Sequence, residues 1–240
     1  MIRGCPGRGY FGATSGVLAA PASVATGSPV NATAIVTSSD RSVAQDPYTH
    51  PASHDFLRDF PARTENGELN VVVEIPAGTN GKWEVEKATG KLKWEFRDGK
   101  PRIVNYLGYP GNYGMVPRTL LPKELGGDGD PLDVLILGPA VPRGTVLPTR
   151  PIAVLKMLDG GEVDDKIIAV ASEGPFAKVT TLKALTENYP GVTEIGERWF
   201  QNYKGPGKVV TKGYQDETAA GTVINAAIAA YENAPQKSTE

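Results

Sequence analysis

Three aspartates fall within six positions in Gly126-Gly127-Asp128-Gly129-Asp130-Pro131-Leu132-Asp133, and the apolar run Val134-Leu135-Ile136-Leu137 follows at once. Like charges crowded this closely cost free energy unless a positive partner sits among them. In extended backbone Asp128 and Asp130 share a face, and Pro131 can turn the chain to bring Asp133 round, which makes half of a cage for a hard cation. An ordinary acidic turn uses the same residue types. An EF-hand does not fit, because Leu132 stands where its fifth-position ligand is needed, Pro139 stands where its final Glu is needed, and a strand follows in place of a helix. A second acidic loop, Asp159-Gly160-Gly161-Glu162-Val163-Asp164-Asp165-Lys166, joins two apolar runs and carries four acids in seven positions. Carboxylates and water are the ligands that Mg²⁺ and Mn²⁺ prefer.

A complementary set of donors accompanies the acids: Lys82, Arg102, Tyr109, Tyr113, Tyr203 and Lys204. Arg grips a phosphate at two points, Lys adds a point charge and Tyr donates a hydrogen bond, so acids plus these donors imply a metal-phosphate ligand. Other chemistries are closed by what the chain lacks. Its single cysteine is Cys5 and its two histidines are His50 and His54, so from Asp55 onward there is no thiol nucleophile, no histidine-based triad, no disulfide and no Cys/His zinc site.

These residues need a scaffold, and 240 residues with 40% hydrophobic and 22% charged side chains supply one substantial core. A formal net charge of -2 gives no global field for a polyanion, so any phosphate chemistry is local. No run approaches the roughly 20 apolar residues of a membrane span. Val71–Ile75, Lys82–Lys87, Leu92–Phe96, Val134–Leu137, Ile152–Leu158 and Ile167–Ala171 read as short strands, with Trp83 and Val85 alternating against Lys82, Glu84 and Glu86. The runs flanking the second acidic loop pair as a hairpin with the acids at its tip. Helices come late, one with Thr193 as its cap and Ile195, Trp199, Phe200 and Tyr203 at helical spacing, another capped by Asp216 with Ala220, Ile224, Ala227, Ile228 and Tyr231. Strands first and helices last make an α+β chain.

Taken in order, Glu74-Ile75-Pro76-Ala77, Lys82-Trp83-Glu84, Gly99-Lys100-Pro101-Arg102, Asn112-Tyr113-Gly114, Asp128 to Asp133, Asp159 to Lys166 and Tyr203-Lys204 resemble the soluble family I inorganic pyrophosphatases, from about Asp55 to Tyr231. The resemblance implies a twisted five-stranded OB-like β-barrel with flanking C-terminal helices, and Mg²⁺-dependent hydrolysis of inorganic diphosphate to two phosphates, with Mn²⁺ or another divalent ion as a substitute. It implies that Asp128, Asp133 and Asp164 ligate the metals, with Asp159, Glu74 and Glu84 in the wider shell, and that Asp130 is the general base. Lys82, Arg102, Tyr113, Lys166, Tyr203 and Lys204 match groups that hold substrate or product. A homo-oligomer is implied, a hexamer before a dimer, with no nucleic-acid or membrane partner.

Two other functions use some of the same features. A phosphohydrolase acting on nucleotides or phosphate esters shares the acids and needs stacking aromatics and a wider mouth; a noncatalytic OB-type nucleic-acid binder needs a basic aromatic groove, whereas the face read here is acidic. Residues 1–53 read as a flexible extension, 54–235 as the catalytic domain and 236–240 as a tail. Residues 1–39 hold no Asp or Glu and only Arg3 and Arg8 as charges, with Val17–Ala20 weakly apolar and Ser23-Val24-Ala25 a small-residue cleavage site. A cleaved segment of about 25 residues means export or organelle import; without cleavage the family default is cytoplasmic. Gly7 to Gly12 fits the G-x-G-x-x-G spacing but lacks the flanking strand and helix.

Overall fold

The computed structural model describes residues 46–123 and 126–235. In chain order the elements are β1 (Leu69–Ile75), β2 (Trp83–Val85), β3 (Leu92–Trp94), β4 (Phe96–Arg97), β5 (Lys100–Pro101), β6 (Asn112–Met115), β7 (Asp133–Leu137), β8 (Val146–Asp159), β9 (Glu162–Val163), β10 (Lys166–Ala171), α1 (Leu182–Asn188), α2 (Val192–Asn202), β11 (Val209–Gln215) and α3 (Glu217–Asn233). No helix among the described residues is long and apolar enough to cross a membrane.

Five strands pair in a closed ring. β1 runs antiparallel to β6, β6 to β7, β10 to β8 and β8 back to β1, while β7 and β10 are parallel. The 14-residue β8 makes closure possible: Val146–Thr149 pairs with β1, Thr149–Leu155 with β10, and Val154–Asp159 with β11. The mixed sheet carries three helices, so the α+β expectation holds.

The ring strands are apolar on both faces, with period two. Val71, Val73, Val134, Ile136, Ile167 and Ala169 join the cluster that receives Ala220, Ile224 and Ala227 of α3. Ile75, Tyr113, Leu135, Leu155 and Ile168 join the one that receives Trp199 and Phe200 of α2. Helices on both faces are why these strands read in sequence as continuous hydrophobic runs.

The expected elements are refined at four places. Leu92–Phe96 is two strands, because the Glu95 carbonyl accepts from the Arg102 N–H at 2.8 Å and the Lys82 N–H goes to the Arg102 carbonyl, which ends the β2–β3 pairing at Trp94. Asp216 caps α3 as expected, accepting from the Ala219 N–H at 3.0 Å. Thr193 does not cap α2: the helix starts after Gly191, whose φ of 90° makes the turn, and the Thr193 hydroxyl donates to Glu194. α1, β5, β6, β9 and β11 are additional. Residues 46–53, assigned above to the extension, include His50, which donates its N–H to Leu92 at 2.8 Å, and Tyr48, whose carbonyl accepts from Trp94. The features read in residues 1–39, and the tail 236–240, lie outside the described residues.

Candidate active site

The two acidic loops meet because β7 and β10 are parallel neighbours. Val134 pairs with Ile167, so Asp133 and Lys166 open adjacent strands at the same end of the sheet. The buried Lys166 ammonium lies 2.5 Å from the Asp133 carboxylate and also pairs with Asp164, which precedes β10. Asp128 turns its own loop, its carboxylate accepting from the Asp130 N–H at 2.8 Å, and Gly129 supplies the φ of 79° that this turn needs.

Tyr113 on β6 forms the floor. Lys82 and Lys166 stand 5.6 and 5.9 Å from its ring centre. Tyr109 lies 5.0 Å from Tyr113 and 4.3 Å from Trp199, and Trp199 stacks on Tyr203 at 4.8 Å, so α2 carries Tyr203 to the site through an aromatic chain. Lys204, the next residue, pairs with Asp159 at the end of β8. Arg102 is held 2.5 Å from Glu95. Arg102, Tyr203 and Lys204 line a cleft of about 570 Å³, joined there by Arg97 and Lys208.

Charges in this site act on one another through little water. Burial pushes the Asp164 carboxyl up, against the pull of Lys166 and with Asp133 and Asp128 adding to the rise. Asp128 is raised as well, by burial first and then by Asp130 and Asp133. Burial works against the Lys166 and Lys82 ammonium groups, yet both are driven upward, Lys166 by Asp133 and Asp164, and Lys82 by Tyr109, Glu74, Glu84 and Asp133. Tyr109, Tyr113 and Tyr203 are all raised, chiefly by burial, and remain phenols able to donate hydrogen bonds. Glu74 is pushed up to about 8 by burial. It sits at the irregularity in the β1–β6 ladder and accepts from the Val85 N–H at 2.7 Å.

Asp133, Asp164, Lys166, Tyr113 and Lys82 thus come together, with Asp128 close enough to interact electrostatically with Asp133 and Asp164. Three other expected acids are each engaged by a cation at the edge of this group. Asp130 pairs with Lys87, Glu84 lies 3.6 Å from Lys82, and Asp159 is engaged by Lys204. Among the described residues no three carboxylates stand at the spacing of a closed metal cage, since each acid is turned to an ammonium or an amide. The donor set nevertheless fits a hard divalent ion: it is all oxygen, and Asp128 and Asp164 are raised by burial first and then by neighbouring acids, repulsion that a cation would offset. Glu95, Lys87, Arg97 and Lys208 were missed by sequence reasoning. For Glu95, the alternation that faces it away from Trp94 is a signal; no spacing rule links Lys87 to Asp130.

Comparison with known proteins bears on this geometry. The family profile described as Inorganic pyrophosphatase matches residues 71–232. An inorganic pyrophosphatase of Gluconobacter oxydans is 36% identical over 181 residues, covering 73% of this chain and 98% of that protein. A mitochondrial inorganic pyrophosphatase of Saccharomyces cerevisiae is 32% identical over 172 residues, covering 63% of this chain and 56% of that one. The solved inorganic pyrophosphatase of Helicobacter pylori superposes with a TM-score of 0.62 at 30% identity, covering 73% of this chain and 100% of that chain.

Proposed function

The chain belongs to the inorganic pyrophosphatase family and hydrolyses inorganic pyrophosphate, and from that premise we propose how its residues divide the work. The family is metal-dependent. Asp128, Asp133 and Asp164 are the residues that would hold Mg²⁺, with Mn²⁺ as a substitute and with Asp159, Glu74 and Glu84 in the wider shell. When bound, the cation supplies charge that offsets that of the diphosphate and makes a water easier to deprotonate.

Asp130 accepts the proton of the attacking water, whose oxygen bonds to one phosphorus as the bridging P–O bond breaks. Arg102, Lys204 and Tyr203 hold the departing phosphate, and Lys82, Tyr113 and Lys166 hold the other phosphoryl group, each donor fixed beforehand by its protein partners. No covalent enzyme intermediate is needed, in keeping with a chain that has no Cys or His after His54. The five-stranded ring is the OB-like barrel of this reading.

The observation that carries the proposal is the parallel β7–β10 register, which sets Asp133, Asp164 and Lys166 over Tyr113. Phosphate release from pyrophosphate, ATP and p-nitrophenyl phosphate, each with and without Mg²⁺, tests it: pyrophosphate turns over fastest and only with the ion. Asp133→Ala raises the Mg²⁺ concentration needed for activity, and an unaltered metal titration would remove Asp133 from the ligand set. The reading extends to a homo-oligomer, a hexamer before a dimer, and to the residues before 46 as an extension outside the catalytic domain. The compartment turns on the mature N-terminus, with cytoplasmic residence if no segment is cleaved.

A further inference from the structure

Away from the catalytic centre, Arg58, Arg63 and Arg118 line a cavity of about 630 Å³ beside the last turns of α3. It shares no lining residue with the cleft of Arg102, Tyr203 and Lys204.

The three guanidinium groups are fixed in place mostly by neutral partners. Arg118 directs Nε and Nη2 onto the Arg58 carbonyl at 2.9 and 2.7 Å. Arg63 donates to the Gly67 carbonyl and to the Asn225 side-chain oxygen, both at 3.1 Å. Only Arg58 is ion-paired, 2.8 Å from Asp55; among the described residues Arg63 and Arg118 have no carboxylate partner. Carbonyl and amide oxygens orient a guanidinium without cancelling its charge, and the lining sets three guanidinium groups against a single carboxylate, Glu232. Arg118 is also held at a φ of 52°, a left-handed backbone that L side chains other than Asn and Asp rarely adopt. Such an outlier points toward function when it aims a charged group into a cavity.

Pro61, Ala62 and Ile228 add apolar lining, and Tyr231 and Glu232 complete it. The volume is in the range of small-molecule sites and larger than a bare oxyanion requires. Planar forks beside apolar lining suit a ligand with a phosphate at one end and a carbon body at the other. We propose that this arginine cleft is a second anion site, separate from the catalytic centre, that takes a small organic phosphate.

The test is calorimetric titration of phenyl phosphate into the full chain in chelator-containing buffer, using the wild type, Arg63→Gln, Arg118→Asn and, as a catalytic-cleft control, Arg102→Ala. Asn tolerates the left-handed backbone, so Arg118→Asn removes the guanidinium without adding strain. One saturable site per chain is expected, weakened at least about tenfold by Arg63→Gln and by Arg118→Asn, unaffected by Arg102→Ala, and absent for phenol. Both cleft variants keep wild-type pyrophosphate turnover, which separates lost binding from lost folding. No saturable binding, or binding that Arg102→Ala removes and the cleft variants retain, overturns the proposal. Inorganic phosphate binding the cleft as tightly as phenyl phosphate overturns the assignment of an organic ligand.

Discussion

Lys166 and Asp133 are 33 positions apart in sequence, yet their side chains meet at 2.5 Å because parallel pairing starts β7 and β10 side by side. An antiparallel pairing of the same two strands would send these ends to opposite edges of the sheet. The ammonium is 2% exposed and also serves Asp164, so it is the internal countercharge for two carboxylates.

Removing that countercharge is therefore costly. Lys166→Met leaves Asp133 and Asp164 facing each other, and breaking a buried pair in this way costs about 3–5 kcal/mol. Urea unfolding in chelator should show that loss. Saturating Mg²⁺, which binds only the folded acids, should raise the stability of the variant more than that of the wild type. Equal gains in both proteins would mean that the ion does not use these carboxylates.

Part of this centre is legible in the sequence, because two acidic loops beside strand-like runs already point to charge that needs a cation, while the choice of Asp128, Asp133 and Asp164 among their acids comes from the family resemblance. Four of the five ring strands, β1, β7, β8 and β10, are legible for the same reason that they are buried, apolar residues on both faces, whereas β6, with the sequence Asn-Tyr-Gly-Met, carries no such run. Side-chain partners are not legible, since the Asp159–Lys204 and Arg102–Glu95 pairs are set by how β8, α2 and the β3–β5 segment pack. α1 and β11 escape notice because α1 is short, with Leu185 as its one buried residue, and β11 alternates only weakly along Val209–Gln215.

Asp130 separates chemistry from stability. Its carboxylate is half exposed and pairs with Lys87, an exposed ion pair of the kind that contributes less than about 1 kcal/mol. Asp130→Asn should unfold at nearly the wild-type urea midpoint while turnover drops by at least about 100-fold, the range of general-base catalysis. Wild-type turnover in a folded Asp130→Asn protein would take the base role from this residue.

Glu95 positions Arg102 without lining the cleft of Arg102, Tyr203 and Lys204 itself. Both side chains are largely covered, and the carboxylate fixes the orientation of the guanidinium at 2.5 Å. Glu95→Gln keeps the shape and removes the charge, so Arg102 loses its charge-assisted anchor. The KM for pyrophosphate should rise about tenfold, equivalent to about 1.4 kcal/mol, with a smaller change in kcat. A fall in kcat at constant KM would place Glu95 in the chemical step instead.

Gly114 follows Tyr113 for a steric reason that a matched pair of substitutions exposes. A Cβ at Gly114 would collide with the Val72 carbonyl of β1, inside the β1–β6 pairing where Val73 sits opposite Gly114. Neither strand can retreat, since β1 is also paired to β8 and β6 to β7. Gly114→Ala should therefore cost more than about 3 kcal/mol, the upper range for overpacked sites, and carry Tyr113 out of place, lowering turnover even where the variant stays folded. Gly221 in α3 has open space around its Cα and no left-handed backbone, so Gly221→Ala should stabilise the fold by about 0.5–1 kcal/mol through helix propensity, with turnover unchanged. Urea midpoints for the two variants measured side by side decide this, and a mild effect of Gly114→Ala would show that β1 and β6 can separate without opening the ring.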